Sequence, residues 1–390
     1  MNNKIKQFKA LTGDYAVAEA MRQINPEVVA AYPITPQSQI MEKFSQFVAD
    51  GEVDTEFVSV ESEHSAMSAT IGASASGARA MTATSSQGLA LMWEVCGAAA
   101  GLRLPIVMPV VNRALSAPIN IHCDHSDSMG AKDLGWIQIY SETAQEAYEH
   151  TLLAVRLSEA VMLPTMIMQD GFITSHGVVN TQIYQDEKVK KFLGEYKSKY
   201  GLLDPGKPVT YGPIQLQDYY FETFSQRIDA MNEVFKIYPK ISHELKKVTG
   251  NTYPYIEEYK IKDAEAVIVV LNSTAGTTKV VVDKLRKQGK KVGLLKIRLF
   301  RPFPYAEVGK ALRKVKRVAV LDRSTSIGAE APIFSEIKSS LYNMGINILL
   351  QSYLFGMGGR DIYEAEIEGV FGDLLKGKGS SEMRYIGLRK

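Results

Sequence analysis

Helical patterns alternate with short β-rich runs over residues 14–168, and this alternation restricts the possible folds more than any other feature of the chain. Segments such as 15–24 and 145–159 space their apolar residues at helical intervals. Two further predicted helices, 64–76 and 89–100, are rich in small residues. The runs between the helical segments have the composition of buried strands. The five candidate strands are residues 28–31, 56–60, 79–83, 106–111 and 165–168. The order of these elements predicts an α/β domain in which helices cover a parallel sheet.

A second series of the same kind begins near residue 263. Its first candidate strand, 266–271, is followed by Asn272-Ser-Thr-Ala-Gly-Thr-Thr278, whose hydroxyl and amide side chains suit a helix N-terminus. The other candidate strands are residues 291–297, 317–321 and 346–349, and the candidate helices are residues 279–288, 305–314, 332–343 and 361–375. We therefore expect a second, smaller α/β domain.

The segment between the two series has a different character, with five prolines and many tyrosine, lysine and acidic residues. It predicts a connector that contains an amphipathic helix near 219–234 and, after Pro239, a second helix at 241–248. A chain of 390 residues usually needs more than one core. The predicted organisation is a first domain at 1–177, a connector at 178–262 and an α/β domain at 263–390.

Composition excludes several classes of protein. Cys96 and Cys123 are the only cysteines, which excludes a disulfide framework and an iron–sulfur cluster held by four thiolates of this chain. A net charge of +2 without a basic stripe predicts no nucleic-acid partner. No stretch approaches the roughly 18 to 20 apolar residues of a membrane span, and the first residues lack the pattern of a secretory signal. We expect no membrane association and a cytoplasmic location.

The loop Tyr32-Pro33-Ile34-Thr35-Pro36 lies between the first candidate strand and a predicted helix at 37–48. Ligands commonly bind where parallel strands end. Pro36 suits the first turn of a helix, and each proline keeps the residue before it extended. From the residues alone, Thr35 either caps the helix or offers its hydroxyl to a small anion, because both roles use the same geometry.

Two carboxylates, Glu61 and Glu63, follow the second candidate strand at a predicted strand-to-helix turn. Acidic residues at this position often complement the helix dipole. A carboxylate at the end of a buried strand can also lose its solvent, which suits proton transfer at neutral pH. The residues alone allow both interpretations.

Arg113 directly follows the fourth candidate strand, and its planar guanidinium matches a carboxylate ligand. The loop continues into His122-Cys-Asp-His-Ser-Asp127, whose side chains resemble metal ligands. A hydrogen-bonded loop is the alternative, and we predict no metal site because no second group of ligands supports one. A Ser-His-Asp hydrolase is disfavoured because no Gly-x-Ser-x-Gly segment precedes a helix here.

Motifs that bind phosphate groups are missing. The chain has no Walker loop, no Gly-x-Gly-x-x-Gly after its first strand and no Gly-Asp-Gly with a following Asn that would bind magnesium diphosphate. Any phosphate-bearing ligand would thus be held only partly by this chain.

Seven ordered motifs, spread over nearly the whole chain, resemble the α chain of the pyruvate:ferredoxin oxidoreductases, which are 2-oxoacid:ferredoxin oxidoreductases. They are Tyr32-Pro-Ile-Thr-Pro36, Glu61-Ser-Glu-His64, Thr84-Ser-Ser-Gln-Gly88, Asn112-Arg-Ala-Leu-Ser-Ala-Pro118, His122-Cys-Asp-His-Ser-Asp127, Arg301-Pro-Phe-Pro304 and Gly356-Met-Gly-Gly-Arg-Asp361. The resemblance implies a pyrimidine-type thiamine-diphosphate domain followed by an α/β domain like the C-terminal domain of transketolase. It also implies that the last two motifs shape interfaces or approach coenzyme A.

The resemblance further assigns roles to individual residues. Glu63 would hydrogen-bond the aminopyrimidine of thiamine diphosphate, with Glu61 as the fallback. Thr35 and Arg113 would bind the substrate carboxylate and neighbouring oxygens. The remaining cofactor-site residues implied are Tyr32, Pro33 and Gln87.

The activity implied is the oxidative decarboxylation of pyruvate with coenzyme A to acetyl-CoA and CO2, with electrons passed to ferredoxin. A β subunit would bind the diphosphate and Mg2+, [4Fe-4S] clusters would lie on partner subunits, and γ and δ subunits would complete the complex. One alternative is a sibling enzyme for 2-oxoglutarate, a branched-chain or an aryl 2-oxoacid. The others are a noncatalytic assembly subunit and a dinucleotide-binding module.

Overall fold

A computed structural model describes residues 7–389. The first part of the chain folds as alternating strands and helices. In chain order these are β1 (Gln7–Leu11), α1 (Gly13–Ile24), β2 (Val28–Ala31), α2 (Ser38–Ala49), β3 (Glu56–Ser59), α3 (Glu63–Ser76), β4 (Ala80–Met81), α4 (Ser86–Leu91), α5 (Trp93–Gly101), β5 (Val107–Asn112), α6 (Ser126–Gly130), β6 (Ile137–Tyr140), α7 (Ala144–Val161) and β7 (Thr165–Asp170). Side-chain caps start several helices; Thr12, for example, accepts a hydrogen bond from the backbone amide of Tyr15.

The middle of the chain supplies three elements. They are β8 (Val179–Ile183), α8 (Asp186–Leu193) and α9 (Gln217–Thr249). β8 pairs antiparallel with β1 in a two-stranded sheet, and α9 packs mainly against α7. The middle segment therefore packs against elements of the first part of the chain, namely β1 and α7.

The last part of the chain repeats the α/β pattern. Its elements are β9 (Ile256–Tyr259), β10 (Ala266–Val270), α10 (Thr274–Lys287), β11 (Val292–Ile297), β12 (Leu299–Arg301), α11 (Tyr305–Leu312), β13 (Arg317–Asp322), α12 (Pro332–Asn343), β14 (Leu349–Leu354), α13 (Glu364–Leu375) and β15 (Arg384–Tyr385), with a short 3-10 helix at Met357–Gly359. No helix among residues 7–389 is long and apolar enough to cross a membrane.

Two large sheets organise these elements. The first has the order β12-β6-β7-β5-β4-β2-β3, in which all pairs are parallel except β12 with β6. The second has the order β15-β14-β13-β10-β11-β9, with only β9 antiparallel. Helices cover both sheets, so the predicted α/β class is confirmed. The predicted domain limits stay a prediction; β12, from the region 263–390, completes the first sheet.

The carboxyl ends of the two sheets meet in a buried polar cluster. Asp170 ends β7 in the first sheet, and its carboxylate pairs with Arg323, which follows β13 in the second, at 3.1 Å. Asn272 and Ser273, which follow β10, donate hydrogen bonds to the same carboxylate. A buried charge is tolerated only when it is paired in this way. This cluster fixes one α/β unit against the other beside the loops that carry the candidate site.

The structure corrects three predicted elements. The predicted break at Pro239 is absent, and α9 continues through it. Proline cannot donate to the carbonyl four residues earlier, but the hydroxyl of Tyr255 donates to that carbonyl, on Phe235, over 2.5 Å. The helix predicted at 89–100 is divided into α4 and α5 at Met92, and the strand predicted at 346–349 lies at Leu349–Leu354. Strand β6 was not predicted.

Candidate functional site

Glu63 lies in the first turn of α3, where its carboxylate contacts Gly88 of α4. Ser62 caps the helix by accepting a hydrogen bond from the Ser65 amide, which fixes the start of α3 at Glu63. A Cβ atom on Gly88 would lie 2.7 Å from Cγ and 2.9 Å from Oε1 of Glu63, and 2.5 Å from Oγ1 of Thr84. Since real Cβ atoms do not approach other atoms this closely, only glycine fits this position.

Glu63 is a buried residue whose carboxylate has no internal hydrogen-bond partner. The residue is 8% exposed, yet no donor among residues 7–389 gives the carboxylate a hydrogen bond. The neighbouring Thr84 hydroxyl is also buried and unpaired. Buried polar groups are normally hydrogen-bonded. A carboxylate and a hydroxyl left open on the same side of a glycine fit a ligand that brings polar hydrogens, such as an aminopyrimidine.

Glu61, the fallback carboxylate, has a different environment. It is exposed and accepts a hydrogen bond from the Ser65 hydroxyl, which lowers the pKa of Glu61 below its ordinary value. An exposed carboxylate with a lowered pKa is a poor proton-transfer group at neutral pH. The geometry therefore favours Glu63 over Glu61.

Arg113 and Thr35, predicted to share the substrate, do lie together. The Arg113 guanidinium donates from Nη1 to the backbone carbonyl of Thr35 over 2.9 Å and from Nε to the carbonyl of Asn120 over 3.1 Å. Arg113 is 6% exposed, and its burial lowers the pKa of the guanidinium. The two backbone contacts fix the plane of the guanidinium and leave Nη2 for a ligand.

The structure shows that Thr35 is not a helix cap. Helix α2 begins at Ser38 with Gln37 before it, and no side chain caps that end. The capping interpretation was wrong because Thr35 lies too far before the first turn. Thr35 is exposed, with its backbone carbonyl bound to Arg113, whereas Tyr32 is half-buried and Pro33 is exposed on the same loop.

Gln87 connects two motif loops. Its side-chain amide donates to the Ser116 hydroxyl. The Thr84-to-Gly88 loop, which contacts Glu63, is thereby joined to the loop that follows Arg113. Gln87 is half-buried, so its predicted place at the edge of a cofactor site fits its position.

The residues of the His122-to-Asp127 motif that resemble metal ligands do not form one group in the structure. Cys123 and His125 lie with Asp170 such that their ligand atoms are within 4.8 Å of one another, while His122 is exposed on the other side of the loop. Arg323 already brings a positive charge to this group, 3.1 Å from Asp170 and 3.7 Å from the Cys123 sulfur. Burial raises the pKa of Asp170, but the charges of His125 and Arg323 outweigh it and keep the pKa well below its ordinary value. The arrangement is that of a buried ion pair.

The last two motifs, at residues 301–304 and 356–361, contact other segments of the same chain. The Asn120 side chain donates to the Gly358 carbonyl over 3.0 Å, and the Gly359 amide donates to the Cys123 carbonyl over 2.6 Å. Gly358 and Gly359 both have positive φ, and a Cβ on either would collide with the 120–123 loop. Arg301 contacts Lys132 and Glu336. The second α/β unit thus supports the loop that carries Arg113.

Sequence reasoning missed the role of Asp127. In the sequence, Asp127 was only one of several residues in a motif that resembles metal ligands. In the structure, its buried carboxylate accepts hydrogen bonds from the backbone amides of Ser86 and Arg113. An acidic residue in the first turn of a short helix gives no sequence signal for such contacts, because they depend on which segments meet at the carboxyl edge of the sheet.

Comparison with known proteins identifies the relatives of the chain. The family model described as pyruvate flavodoxin/ferredoxin oxidoreductase, thiamine diphosphate-binding, matches residues 19–243. The model of the pyruvate:ferredoxin oxidoreductase core domain II matches residues 264–367. The first match alone covers more than half of the chain.

Curated relatives match the chain along its length. It is 57% identical to the pyruvate synthase subunit PorA of Thermotoga maritima, over 99% of this chain and 100% of the relative. It is 45% identical to PorA of Methanocaldococcus jannaschii, over 98% and 99%, and 42% identical to the ketoisovalerate oxidoreductase subunit VorA of Pyrococcus horikoshii, over 100% and 99%.

A solved structure shows the same fold. It is a 2-oxoglutarate:ferredoxin oxidoreductase from Magnetococcus marinus with 2-oxoglutarate, coenzyme A and succinyl-CoA bound, with a TM-score of 0.73 at 19% identity. The alignment covers 95% of this chain and 66% of that one. The family models and the full-length relatives together show that the chain belongs to the pyruvate:ferredoxin oxidoreductase family.

Proposed function

We propose that the chain is the α subunit of a pyruvate:ferredoxin oxidoreductase, which converts pyruvate and coenzyme A to acetyl-CoA and CO2 and passes electrons to ferredoxin. The observation that carries the proposal is the carboxylate of the buried residue Glu63, which lies against Gly88 without an internal hydrogen-bond partner, in a chain that also presents Arg113 beside Thr35. Full-length identity of 57% to a pyruvate synthase subunit supports the choice of substrate.

Glu63 would bind the aminopyrimidine of thiamine diphosphate and exchange a proton with it. The cofactor, when bound, supplies the carbon nucleophile and the electron sink for decarboxylation. Burial without a competing internal donor leaves the Glu63 carboxylate available to one ring nitrogen. Gly88 provides the space beside the carboxylate, and Tyr32, Pro33 and Gln87 lie on the loops that would border the ring.

Arg113 would orient the substrate. Its Nε and Nη1 are engaged by backbone carbonyls, so Nη2 is the part of the guanidinium left to bind the carboxylate of a 2-oxoacid. The exposed Thr35 hydroxyl would donate to a neighbouring oxygen of the same substrate. A fixed arginine and a nearby hydroxyl orient a small oxoacid at low entropic cost.

Partner subunits would supply the rest of the active site. The names of the relatives identify them as subunits. A β subunit would hold Mg2+ and the diphosphate, consistent with the absence of diphosphate motifs from this sequence. The [4Fe-4S] clusters would lie on partners, including ferredoxin-like γ and δ subunits, since the chain has two cysteines. We place the complex in the cytoplasm.

The ketoisovalerate enzyme is the second candidate, because a relative with that name is 42% identical over the whole chain. The two candidates differ in the substrate side chain that the site near Thr35 and Arg113 would have to accept. The complex, coexpressed with its neighbouring subunits and purified without oxygen, should reduce a viologen dye with pyruvate in a reaction that requires coenzyme A. A panel of 2-oxoglutarate, 2-oxoisovalerate and phenylpyruvate is the comparison. No turnover of pyruvate, with turnover of another 2-oxoacid, would overturn the choice of substrate.

A further inference from the structure

The Asp127 carboxylate is buried and fully occupied by hydrogen-bond donors. Oδ2 accepts from the backbone amides of Ser86 and Arg113, each over 3.0 Å. Oδ1 accepts from the side chain of Asn112 over 2.8 Å and from the amide of Ser128 over 2.7 Å. Asp127 is 3% exposed. Its two oxygens therefore join three separate stretches of chain.

One of these stretches leads to Glu63. Ser86 has a positive φ of 43°, a conformation that costs free energy for a residue with a side chain. Two hydrogen bonds hold Ser86 in this conformation: its backbone amide donates to the Asp127 carboxylate, and its hydroxyl donates to the Ala114 carbonyl. Two residues later, Gly88 contacts the Glu63 carboxylate. The position of Gly88 against Glu63 thus depends on the turn that Asp127 stabilises.

The other stretch leads to the substrate arginine. Asp127 binds the amide of Arg113 directly, and its second oxygen binds the side chain of the preceding residue, Asn112. The guanidinium of Arg113 then contacts the Thr35 carbonyl. The backbone from which Arg113 projects is therefore held by the same carboxylate as the turn at Ser86.

We propose that Asp127 is a positioning residue that sets the placement of Arg113 relative to Glu63, and so aligns the substrate with the group that handles the cofactor proton. The inference rests on the function proposed above. Asp127 is not assigned any contact with substrate or cofactor. It acts through the backbone at Ser86 and Arg113.

A carboxylate is required here because all four partners are donors. An asparagine offers only one accepting oxygen, and its NH2 group would face two N–H groups. A buried donor left without an acceptor costs about 1–3 kcal/mol. The Asp127→Asn change is thus close in shape but wrong in hydrogen bonding, and it should displace one or both loops.

Titration of Asp127 gives a second signature. Burial raises the pKa of Asp127 to about 6, while its hydrogen bonds oppose the increase. Of the titratable groups around it, Arg113 carries a charge, whereas burial raises the pKa of the Cys123 thiol and of the Tyr140 hydroxyl and keeps both neutral near pH 6. Below this pKa the Asp127 carboxyl carries a proton, so one of its oxygens becomes a donor that faces other donors. The NH2 group of an asparagine would face the same donors. Activity of the wild type should accordingly decrease as the pH falls through about 6.

Asp322 provides a matched control. Its buried carboxylate also accepts hydrogen bonds from two backbone amides, those of Ile333 and Phe334, but these amides start α12 and belong to neither of the segments that Asp127 holds. Asp322→Asn tests whether loss of any buried backbone acceptor is enough to reduce activity.

The test compares the wild type, Asp127→Asn and Asp322→Asn in the reconstituted complex. Misplacement of about 1 Å can reduce a rate by about 100-fold, so Asp127→Asn should lower kcat/KM for pyruvate by about that factor at pH 7.5 and lose the decrease near pH 6. Asp322→Asn should keep both the activity and the pH profile. Equal activity of Asp127→Asn and the wild type, or an equal loss in Asp322→Asn, would overturn the proposal.

Amide hydrogen exchange followed by mass spectrometry tests the same claim without turnover. Asp127→Asn should accelerate exchange in peptides that cover 84–88 and 112–118, and Asp322→Asn should accelerate it only in peptides that cover 330–336. Unchanged exchange in both site loops of Asp127→Asn would overturn the positioning role. Failure of the wild type to turn over any 2-oxoacid would refute the proposed function instead, and the exchange result would still decide the positioning role.

Discussion

Arg113 donates a hydrogen bond from its guanidinium to the backbone carbonyl of Thr35, across 2.9 Å and 78 residues of sequence. The two residues follow different strands, β5 and β2, which are separated in the sheet by β4. The contact exists because parallel strands bring their carboxyl ends to one edge, where loops distant in sequence meet. It defines the substrate side of the proposed site.

Arg113→Lys should weaken substrate binding. Lysine keeps the charge but cannot bind two backbone carbonyls and a carboxylate in one plane. We expect kcat/KM for pyruvate to fall by about 100-fold, a loss consistent with removal of a charge-assisted hydrogen bond worth about 1.5–3 kcal/mol. Steady-state kinetics over a range of pyruvate concentrations measures the change.

Arg103→Lys is the matched control for that variant. Arg103 also donates to backbone carbonyls, those of Val161 and Met162, but at the end of α7. Its replacement should leave kcat/KM near the wild-type value. Equal losses in the two variants would show that Arg113 has only a structural role.

Gly88→Ala should disturb the cofactor side of the site. The added methyl group would lie 2.7 Å from Cγ of Glu63, so the carboxylate must move. We expect thiamine diphosphate to bind more weakly, measured as the cofactor concentration that restores half of the activity to the cofactor-free complex. Gly72→Ala, in the same helix as Glu63, adds a methyl group that meets nothing within 4 Å. It should retain wild-type affinity and gain up to about 1 kcal/mol of helix stability; a Gly88→Ala complex with wild-type affinity would contradict the contact.

The sequence predicted the elements of the fold and several residues of the site, but not the contacts among those residues. The alternation of elements predicted both α/β units, because period and turn chemistry are local properties. Glu63, Arg113 and Thr35 came from motifs, but their environments did not. Local grounds allowed Thr35 to be either a helix cap or an anion-binding hydroxyl, and the cap is absent because the helix starts later. The contact of Gly88 with Glu63 and the bonds of Asp127 join loops from different strands, and no local pattern reports them.

Strand β6 shows the same limit. Its four residues, Ile137–Tyr140, are too short to stand out, and β6 lies between β7 and the distant β12 in the sheet. Pro239 is the opposite case. The local rule predicted a helix break, but the Tyr255 hydroxyl supplies the donor that proline lacks. Tertiary contacts decided the outcome in both cases.

Lys296→Met should destabilise the chain. The ammonium group of Lys296, which is 1% exposed, lies 2.6, 2.7 and 2.8 Å from carboxylates of Glu142, Glu146 and Glu257. Its removal leaves the three carboxylates with only Lys279 and Arg298 as cations, and removal of one partner of a buried ion pair typically costs about 3–5 kcal/mol. Thermal unfolding at pH 7.5 should show a clearly lower Tm.

We also expect the effect of Lys296→Met on Tm to depend on pH. Burial raises the pKa of Glu257, but Lys296 and Lys279 outweigh it and lower the pKa to about 2. A carboxylate whose pKa is lower in the folded state stabilises the fold above its unfolded pKa, and this stability is lost as the pH falls through the folded value. The Tm difference between the wild type and Lys296→Met should therefore be largest near neutral pH and shrink below about pH 4. Lys338→Met, which removes an exposed ion pair with Glu330, should change Tm little at any pH; an equal loss in both variants would contradict the buried cluster.

The central claim is that Glu63 is the group of this chain that exchanges a proton with the cofactor. Turnover of pyruvate by the reconstituted complex carrying Glu63→Gln, beside the same complex carrying Glu61→Gln, tests it most directly. Glutamine keeps the shape of Glu63 but cannot take up a proton, so turnover should fall by orders of magnitude while Tm remains near that of the wild type. Glu61→Gln should retain wild-type turnover, because Glu61 is exposed and bound to Ser65. Near-normal turnover with Glu63→Gln would contradict the account.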